Sequence, residues 1–571
     1  MIVHGTRLSA FLCAGLTVLA ALSCAPPAEE PAPEEPRPPA ATREPQPADP
    51  EQEAAAEAPR PDEDLSRAAI QNLVLELVEQ EELAERGYQP ERMAFMLGKA
   101  DEAAVVQAYR DAVEPGAELD PATLEHLLHD INKAIVAHKH EAARTRYQDD
   151  PDVKVWRGAI AERNARRVKI LAEATGLRGG AEPPEFFIIS EKSGHDYESL
   201  SVAFVQPSEL HEALRFIGME PGRPVQPDQL KFWPKGERAL FTFTAYLGED
   251  MRLGPLRMEK LFLDRDTNEP LPETGLVFTG SLQVSSPDDP DKTVYAADRF
   301  GPHAIAANYN EPTAMFDVPR QAPQHVVYGN FQVNPEHVFP PLAFLEIVIE
   351  PKAGKGEQTV VDLTLEVRKA ETPLDAPAGA LALSVLDNEG TPLLQDAKTP
   401  DVLALFSSLR DDGRDPFVNA RFARDVPLGP ARDLCGILAS IDSEHGIRVE
   451  PPDADQLYYR AFVPNPEFKD RGKRMAQPWE LHLERENGTV AGTLVHIEQE
   501  SREQERRPTL DIARHAVDSG ESLETKLEEI GPGLAVILIY APPDLLMGEL
   551  LDFVAPIRDT HPTLHVFVVS D

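Results

Sequence analysis

Cysteine is scarce in this chain of 571 residues, which has three: Cys13, Cys24 and Cys435. No CxxC pair occurs, so zinc ribbons, redox dithiols and iron–sulfur clusters lack their ligands. Positive charge is also scarce. Lys and Arg number 56 against 97 Asp and Glu, a net charge of −41. Such a surface repels nucleic acid and anionic lipid, and no basic stripe offsets it. It attracts divalent cations only loosely, without a dedicated site. Four catalytic signatures are missing: the GxSxG elbow, the HExxH zinc helix, the Walker A loop and the dinucleotide GxGxxG. Gly354-Lys355 lacks the upstream glycine spacing of a phosphate loop. What remains is a foldable chain, 42% hydrophobic, whose length calls for roughly three to four domains.

The N-terminus reads as an address. One positive charge, Arg7, precedes an apolar run from Leu8 to Leu22, interrupted by Ser9 and Thr17. That is shorter than the ~20 residues of a bilayer span and suits the apolar part of an export signal. The run ends Ala21-Leu22-Ser23-Cys24, which resembles a bacterial lipobox, with Ala21 where an aliphatic residue is more usual. The resemblance implies removal of 1–23, a diacylglyceryl group on Cys24, and a protein held on a bacterial membrane facing the periplasm or cell surface. Plain secretion with cleavage near Ala25 is the alternative. Processing leaves Cys435 as a lone thiol, in the apolar run DLCGILASI that suits a core. From Ala25 to Pro61, twelve residues are proline, nine are acidic and none is aromatic. Such a segment cannot bury enough apolar surface to fold and forms an extended tether.

The rest of the chain predicts a multidomain protein in five parts. The first is a helical bundle over 63–178. Ile70, Leu73, Val74, Leu77 and Val78 share one face. Asp120-Pro121 opens a second helix with Leu124, Leu127, Leu128, Ile131 and Ile135 as its stripe. A third helix is expected over Val153–Thr175. His126, His129, His138 and His140 read as part of a solvated face. The second part, 183–352, is α+β or β-rich, with a helix carrying Leu210, Ala213, Leu214 and Ile217 and stopped by Gly218. The third is β-sandwich-like over 353–450, including a hairpin turning at Asp387–Gly390. The fourth is a hairpin region over 451–514, turning at Asn487-Gly488. The fifth is an α/β module over 515–571, where the apolar run 534–541, an amphipathic helix and LHVFVVS predict a parallel βαβ unit.

Two resemblances sharpen this outline. HDYESLSVAFVQPSELHEALRFIGMEPGRPV, FWPKGER, LVFTGSLQV and VYAADRFGP together resemble the YdjY-type domain of bacterial envelope proteins, over about 185–350. That implies a fold family and carries over no catalytic residue. The C-terminal βαβ is similar to the periplasmic domain of the ExbD/TolR family. The transmembrane helix with its proton-path aspartate is missing beside it, so docking or self-association is implied rather than motor coupling.

Two groups of residues stand out as candidate sites. His195, Glu198 and His211 can form a cation site if they converge, or a polar cluster joining helix to sheet. On one strand His195 and Glu198 would diverge, so convergence needs a turn at Ser193-Gly194. Trp233, Lys235 and Arg238 in FWPKGER can form a binding rim or a plain turn. No catalytic residue and no cofactor is implied. The expected partners are envelope proteins or peptidoglycan-associated components, with the membrane reached through the N-terminal lipid.

Overall fold

The protein is described by a computed structural model over residues 65–569, apart from 178–183, 288, 290, 323, 325–330, 353–358, 372–379, 452–455, 463–478, 487, 501–508, 532–535 and 562. Cys24, the signal segment and the proline-rich tether lie outside the described residues. The described part is multidomain and mixes helices with several sheets.

The helices come first. Ser66 caps Arg67–Val78, and Ile70, Val74, Leu77 and Val78 are buried as their spacing predicts. Leu73 faces solvent instead, 43% exposed. Asp120 closes a capping box on the long helix Pro121–Arg146, where Asp120 and Thr123 satisfy each other's backbone N–H groups. Three shorter helices, Glu81–Glu85, Pro90–Lys99 and Glu102–Ala112, lie between them. All five contribute to one core, which Phe204 and Phe344 of the next domain enter.

The expected third helix is a correction. Residues 153–174 form three strands: β1 (Val153–Trp156), β2 (Ala159–Glu162) and β3 (Arg167–Ala174). Val168, Ile170 and Ala172 are buried with a period of two. The turns between the strands explain the misreading. Gly158 has φ 76° and Arg166 φ 46°, and a Cβ on Gly158 would stand 2.8 Å from the Phe204 carbonyl carbon. These left-handed positions fold the segment back twice, which a helix cannot do.

β3 opens a closed eight-stranded barrel. Its other strands are β4 (Phe186–Ser190), β5 (Ser201–Ala203), β6 (Arg238–Tyr246), β9 (Leu276–Phe278), β12 (Ala304–Ala307), β13 (Phe316–Asp317) and β15 (Phe344–Pro351). Round the ring the order is β3, β15, β6, β9, β13, β12, β4, β5 and back to β3. β7 (Arg252–Arg257) lies along β6. β8 (Phe262–Asp264) pairs with β14 (Phe331–Val333), and β10 (Gln283–Ser285) with β11 (Thr293–Tyr295). Eight strands leave an interior that side chains can fill. Phe316 meets Phe241 edge-on and Phe278 at a tilt, with centroids 5.0 and 5.2 Å apart. The helix Pro207–Phe216 packs on this core through Leu210, Ala213 and Leu214, and Gly218 at φ 83° ends it.

Residues 353–450 are a second correction, an α/β module rather than a sandwich. β16 (Thr359–Lys369), β17 (Leu381–Leu386) and β18 (Pro392–Ala397) form an antiparallel meander. The helix Thr399–Asp411 leads to β19 (Arg414–Phe422), parallel to β16. The helix Leu428–Glu444 leads to β20 (Arg448–Glu450), parallel to β19. Val402, Phe406 and Leu409 in one helix, and Leu434, Leu438 and Ile441 in the other, carry helical spacing. Cys435 lies buried in the second helix, where burial pushes its thiol up.

The hairpin region and the C-terminal module are one sheet, and it has the same topology. β21 (Trp479–Glu486), β22 (Thr489–Glu500) and β23 (Thr509–Val517) form a meander. The helices Gly520–Ile530 and Met547–Val554 connect them to β24 (Val536–Ala541) and β25 (Thr563–Val568); β25 is parallel to β24 as expected, and β24 is also parallel to β21. The strand orders are β18-β17-β16-β19-β20 and β23-β22-β21-β24-β25. The chain therefore carries two copies of a βββαβαβ module.

The copies meet about a pseudo-twofold axis. Leu428 N donates to Leu545 O at 2.9 Å and Met547 N to Val426 O at 2.8 Å. Gly429 N donates to Pro543 O at 2.9 Å and Gly548 N to Arg424 O at 2.8 Å. Exchanging 424, 426, 428 and 429 with 543, 545, 547 and 548 converts each bond into its counterpart. The local sequences match: Asp425-Val426-Pro427-Leu428-Gly429 and Asp544-Leu545-Leu546-Met547-Gly548. Val426, Leu428, Leu545 and Met547 are buried in a core shared by both modules.

Candidate functional site

The histidine cluster does not assemble. His195 Nδ1 lies 2.5 Å from Glu198 Oε1, because residues 196–198 form a 3₁₀ turn after Gly194 rather than a strand. His211 goes elsewhere: its Nδ1 lies 3.1 Å from the Tyr295 hydroxyl and its ring packs on Phe278. Burial, then Arg215, holds its pKa below the usual histidine range. Among the described residues, no group of three or more His, Cys, Asp or Glu has the geometry to hold a metal ion. The SGHDYESL stretch closes the crossover between β4 and β5. Glu185 N donates to Glu198 O at 2.9 Å, Ser199 Oγ donates to His195 O at 2.6 Å, and Ser193 Oγ donates to Pro302 O.

Another expectation is overturned at His129, which was placed on a solvated face. Its Nδ1 lies 2.6 Å from Glu173 Oε1 on β3, and its ring stacks on Phe204. Asn132 Nδ2 donates to the other oxygen of Glu173 at 2.9 Å. The long helix is thus bonded to the barrel through polar groups. The hydrogen bond to Glu173 raises the pKa of His129 above the usual histidine range, against its partial burial.

The residues of FWPKGER join the barrel to the first module and are not an open rim. Trp233 N donates to Glu450 Oε1 at 2.9 Å, and Arg223 pairs with the same carboxylate. Lys235 Nζ lies 2.5 Å from Asp362 Oδ1. Arg238 Nη2 meets Asp415 Oδ2 at 3.1 Å, and Arg448 pairs with that oxygen too. Arg238, Asp415 and Arg448 are 6, 7 and 6% exposed. One buried carboxylate therefore holds two arginines, one from the barrel and one from β20. Arg448 also donates from Nη2 to Pro319 O at 3.1 Å and lies over the Trp233 ring.

A cleft of about 520 Å³ opens over this joint. Arg238, Arg320, Lys352, Arg410, Arg414 and Arg448 line it, against Glu273 and Asp415. Six cations against two carboxylates reverse the sign of the whole chain. The pKa of Arg238 is pushed down to about 9, by burial first and by Arg448 second, with Asp415 opposing. The lowering comes chiefly from taking the guanidinium out of water, and the neighbouring Arg448 charge adds to it. Arg448 Nε and Arg320 Nη2 are buried without a hydrogen-bond partner among the described residues, and an unpaired buried N–H costs free energy. Among the described residues, the cleft wall contains no histidine, serine, cysteine or tyrosine.

Behind the shared wall of Pro272, Thr274, Pro319 and Arg320 lies a more apolar chamber of about 320 Å³. Glu259, 3% exposed, accepts from Gly275 N at 3.1 Å with Oε1, while Oε2 has no partner among the described residues. Burial holds this carboxyl above its usual range.

No family model matches the chain, and no curated protein matches it.

Proposed function

We propose that this chain is a lipid-anchored protein of the bacterial envelope that acts by binding and scaffolding rather than by turnover. The observation that carries the reading is the Arg238–Asp415–Arg448 joint. It fixes barrel and module to each other with buried charges, and it floors a cationic cleft whose wall offers fixed guanidinium charges and no hydroxyl- or thiol-histidine pair. Groups of that kind hold a ligand and do not shuttle protons near neutral pH. The export signal, the cysteine at 24 and the proline-rich spacer support mooring, and the charge of −41 argues against nucleic acid as a partner. Metabolic labelling with a clickable fatty acid, followed by fractionation, tests the reading. The wild type should carry label and sediment with membranes, and Cys24→Ser should lose both. An unlabelled, freely soluble wild type overturns the mooring.

The paired modules favour a second reading, an accessory subunit of an ExbD-like envelope complex. The C-terminal resemblance and the repeated βββαβαβ topology support it. No helix among the described residues is long and apolar enough to cross a membrane. Affinity purification from solubilised membranes that recovers no membrane partner rejects it. The metal-dependent alternative through His195, Glu198 and His211 loses its support, since His211 bonds Tyr295.

A further inference from the structure

We infer that the cleft between the barrel and the first module is a binding site for a small multivalent oxyanion, one bearing phosphoryl or carboxylate groups. The inference names a ligand for the proposed binding protein, and it stands on the cleft's own geometry whether or not Cys24 is acylated.

The cleft's charge comes from five separate segments of the chain: Arg238 on β6, Arg320 after β13, Lys352 after β15, Arg410 and Arg414 around the start of β19, and Arg448 on β20. A solvated basic run would be local in sequence, and this convergence is not. The floor is built as well as charged. Asp415 orients Arg238 and Arg448, and Thr274 O accepts from Arg238 Nη1 at 3.1 Å. Arg448 Nε and Arg320 Nη2 are buried with no acceptor among the described residues, and the Arg320 side chain lies over the Phe331 ring. Guanidinium groups held in place in this way match the oxygens of phosphoryl and carboxylate groups.

Size and field limit the ligand. A cleft of about 520 Å³ holds a small organic anion. An extended polyanion would lie mostly against a chain of net charge −41, whereas a small anion fits inside the cleft, where six cations face two carboxylates. The cleft therefore suits a small anion better than nucleic acid.

Isothermal titration of the full chain with sodium pyrophosphate and, separately, with citrate tests the inference. Saturable binding of one anion per chain is expected, weakened about tenfold or more in Arg410→Gln/Arg414→Gln. Both residues stand at the mouth of the cleft, so the variant should unfold at the wild-type temperature. Lys352→Gln gives an independent second reading and should also weaken binding. Binding of pyrophosphate alone identifies a phosphoryl ligand, and binding of citrate alone a carboxylate. No saturable heat with either anion, or equal binding by wild type and both variants, overturns the inference. Failure of acylation at Cys24 with binding intact would remove the mooring and leave the site.

Discussion

Gly429 and Gly548 occupy equivalent positions in two copies of one fold, and each lies against the chain that leads into the other copy's second helix. A Cβ on Gly548 would stand 2.9 Å from Arg424 Cβ and 3.0 Å from its carbonyl oxygen, and one on Gly429 would stand 3.1 Å from Pro543 Cβ. The glycines let the two strands pair at the pseudo-twofold axis. That seam joins the modules into one core.

Gly548→Ala must push the strands apart against backbone, at a cost of about 1–3 kcal/mol. Gly429→Ala should cost less, since its neighbours are 3.1 Å or more away. Gly436→Ala is the control. It lies exposed in the same helix as Gly429, with nothing within 4 Å of an added Cβ, and should stabilise by about 0.5–1 kcal/mol. Thermal unfolding of the three variants orders them. Equal effects at 429, 436 and 548 would contradict the seam.

Asp415→Ala leaves Arg238 and Arg448 buried and facing each other. Removing one member of a buried ion pair costs about 3–5 kcal/mol, and here two arginines lose their carboxylate. Denaturant unfolding should show a loss of that size, and limited proteolysis should cut between barrel and module. A variant as stable as wild type would mean that the joint is solvated.

His129 gives a pH dependence. Its folded pKa is raised by Glu173, so the folded state binds the proton more tightly than the unfolded chain. The stabilisation is fully present below the ordinary histidine value of about 6.5 and is lost as pH rises through the raised value. Thermal unfolding followed from slightly acid to slightly alkaline pH should show stability falling over that window. His129→Gln should flatten the fall. A wild type whose stability rises across the window would contradict the contact.

Much of the local structure is legible in the sequence. Asp120 announces its helix because capping is local chemistry, and Gly218 and Gly390 mark their turns for the same reason. The strands over 153–174 are ambiguous in sequence because apolar residues in short runs fit both periods, and Gly158 decides only through its distance to Phe204. In the module over 353–450 the hairpin is local, while Val402, Phe406 and Leu409 declare a helix face only once packed. The duplication is faint in sequence because little more than Asp425–Gly429 and Asp544–Gly548 survives as a matching pattern. The cleft is not legible at all: Arg238 and its companions Arg320, Lys352, Arg410, Arg414 and Arg448 are brought together only by the tertiary fold.

The cleft is the centre of this account, and a thermal-shift titration tests it most directly. A ligand that binds the folded chain alone raises the unfolding temperature in proportion to the logarithm of its concentration above Kd. The full chain should melt at steadily higher temperature as pyrophosphate or citrate is added at constant ionic strength, and Arg410→Gln/Arg414→Gln should not respond. An unchanged melting temperature for the wild type with both anions, or the same rise in the variant, would contradict the account.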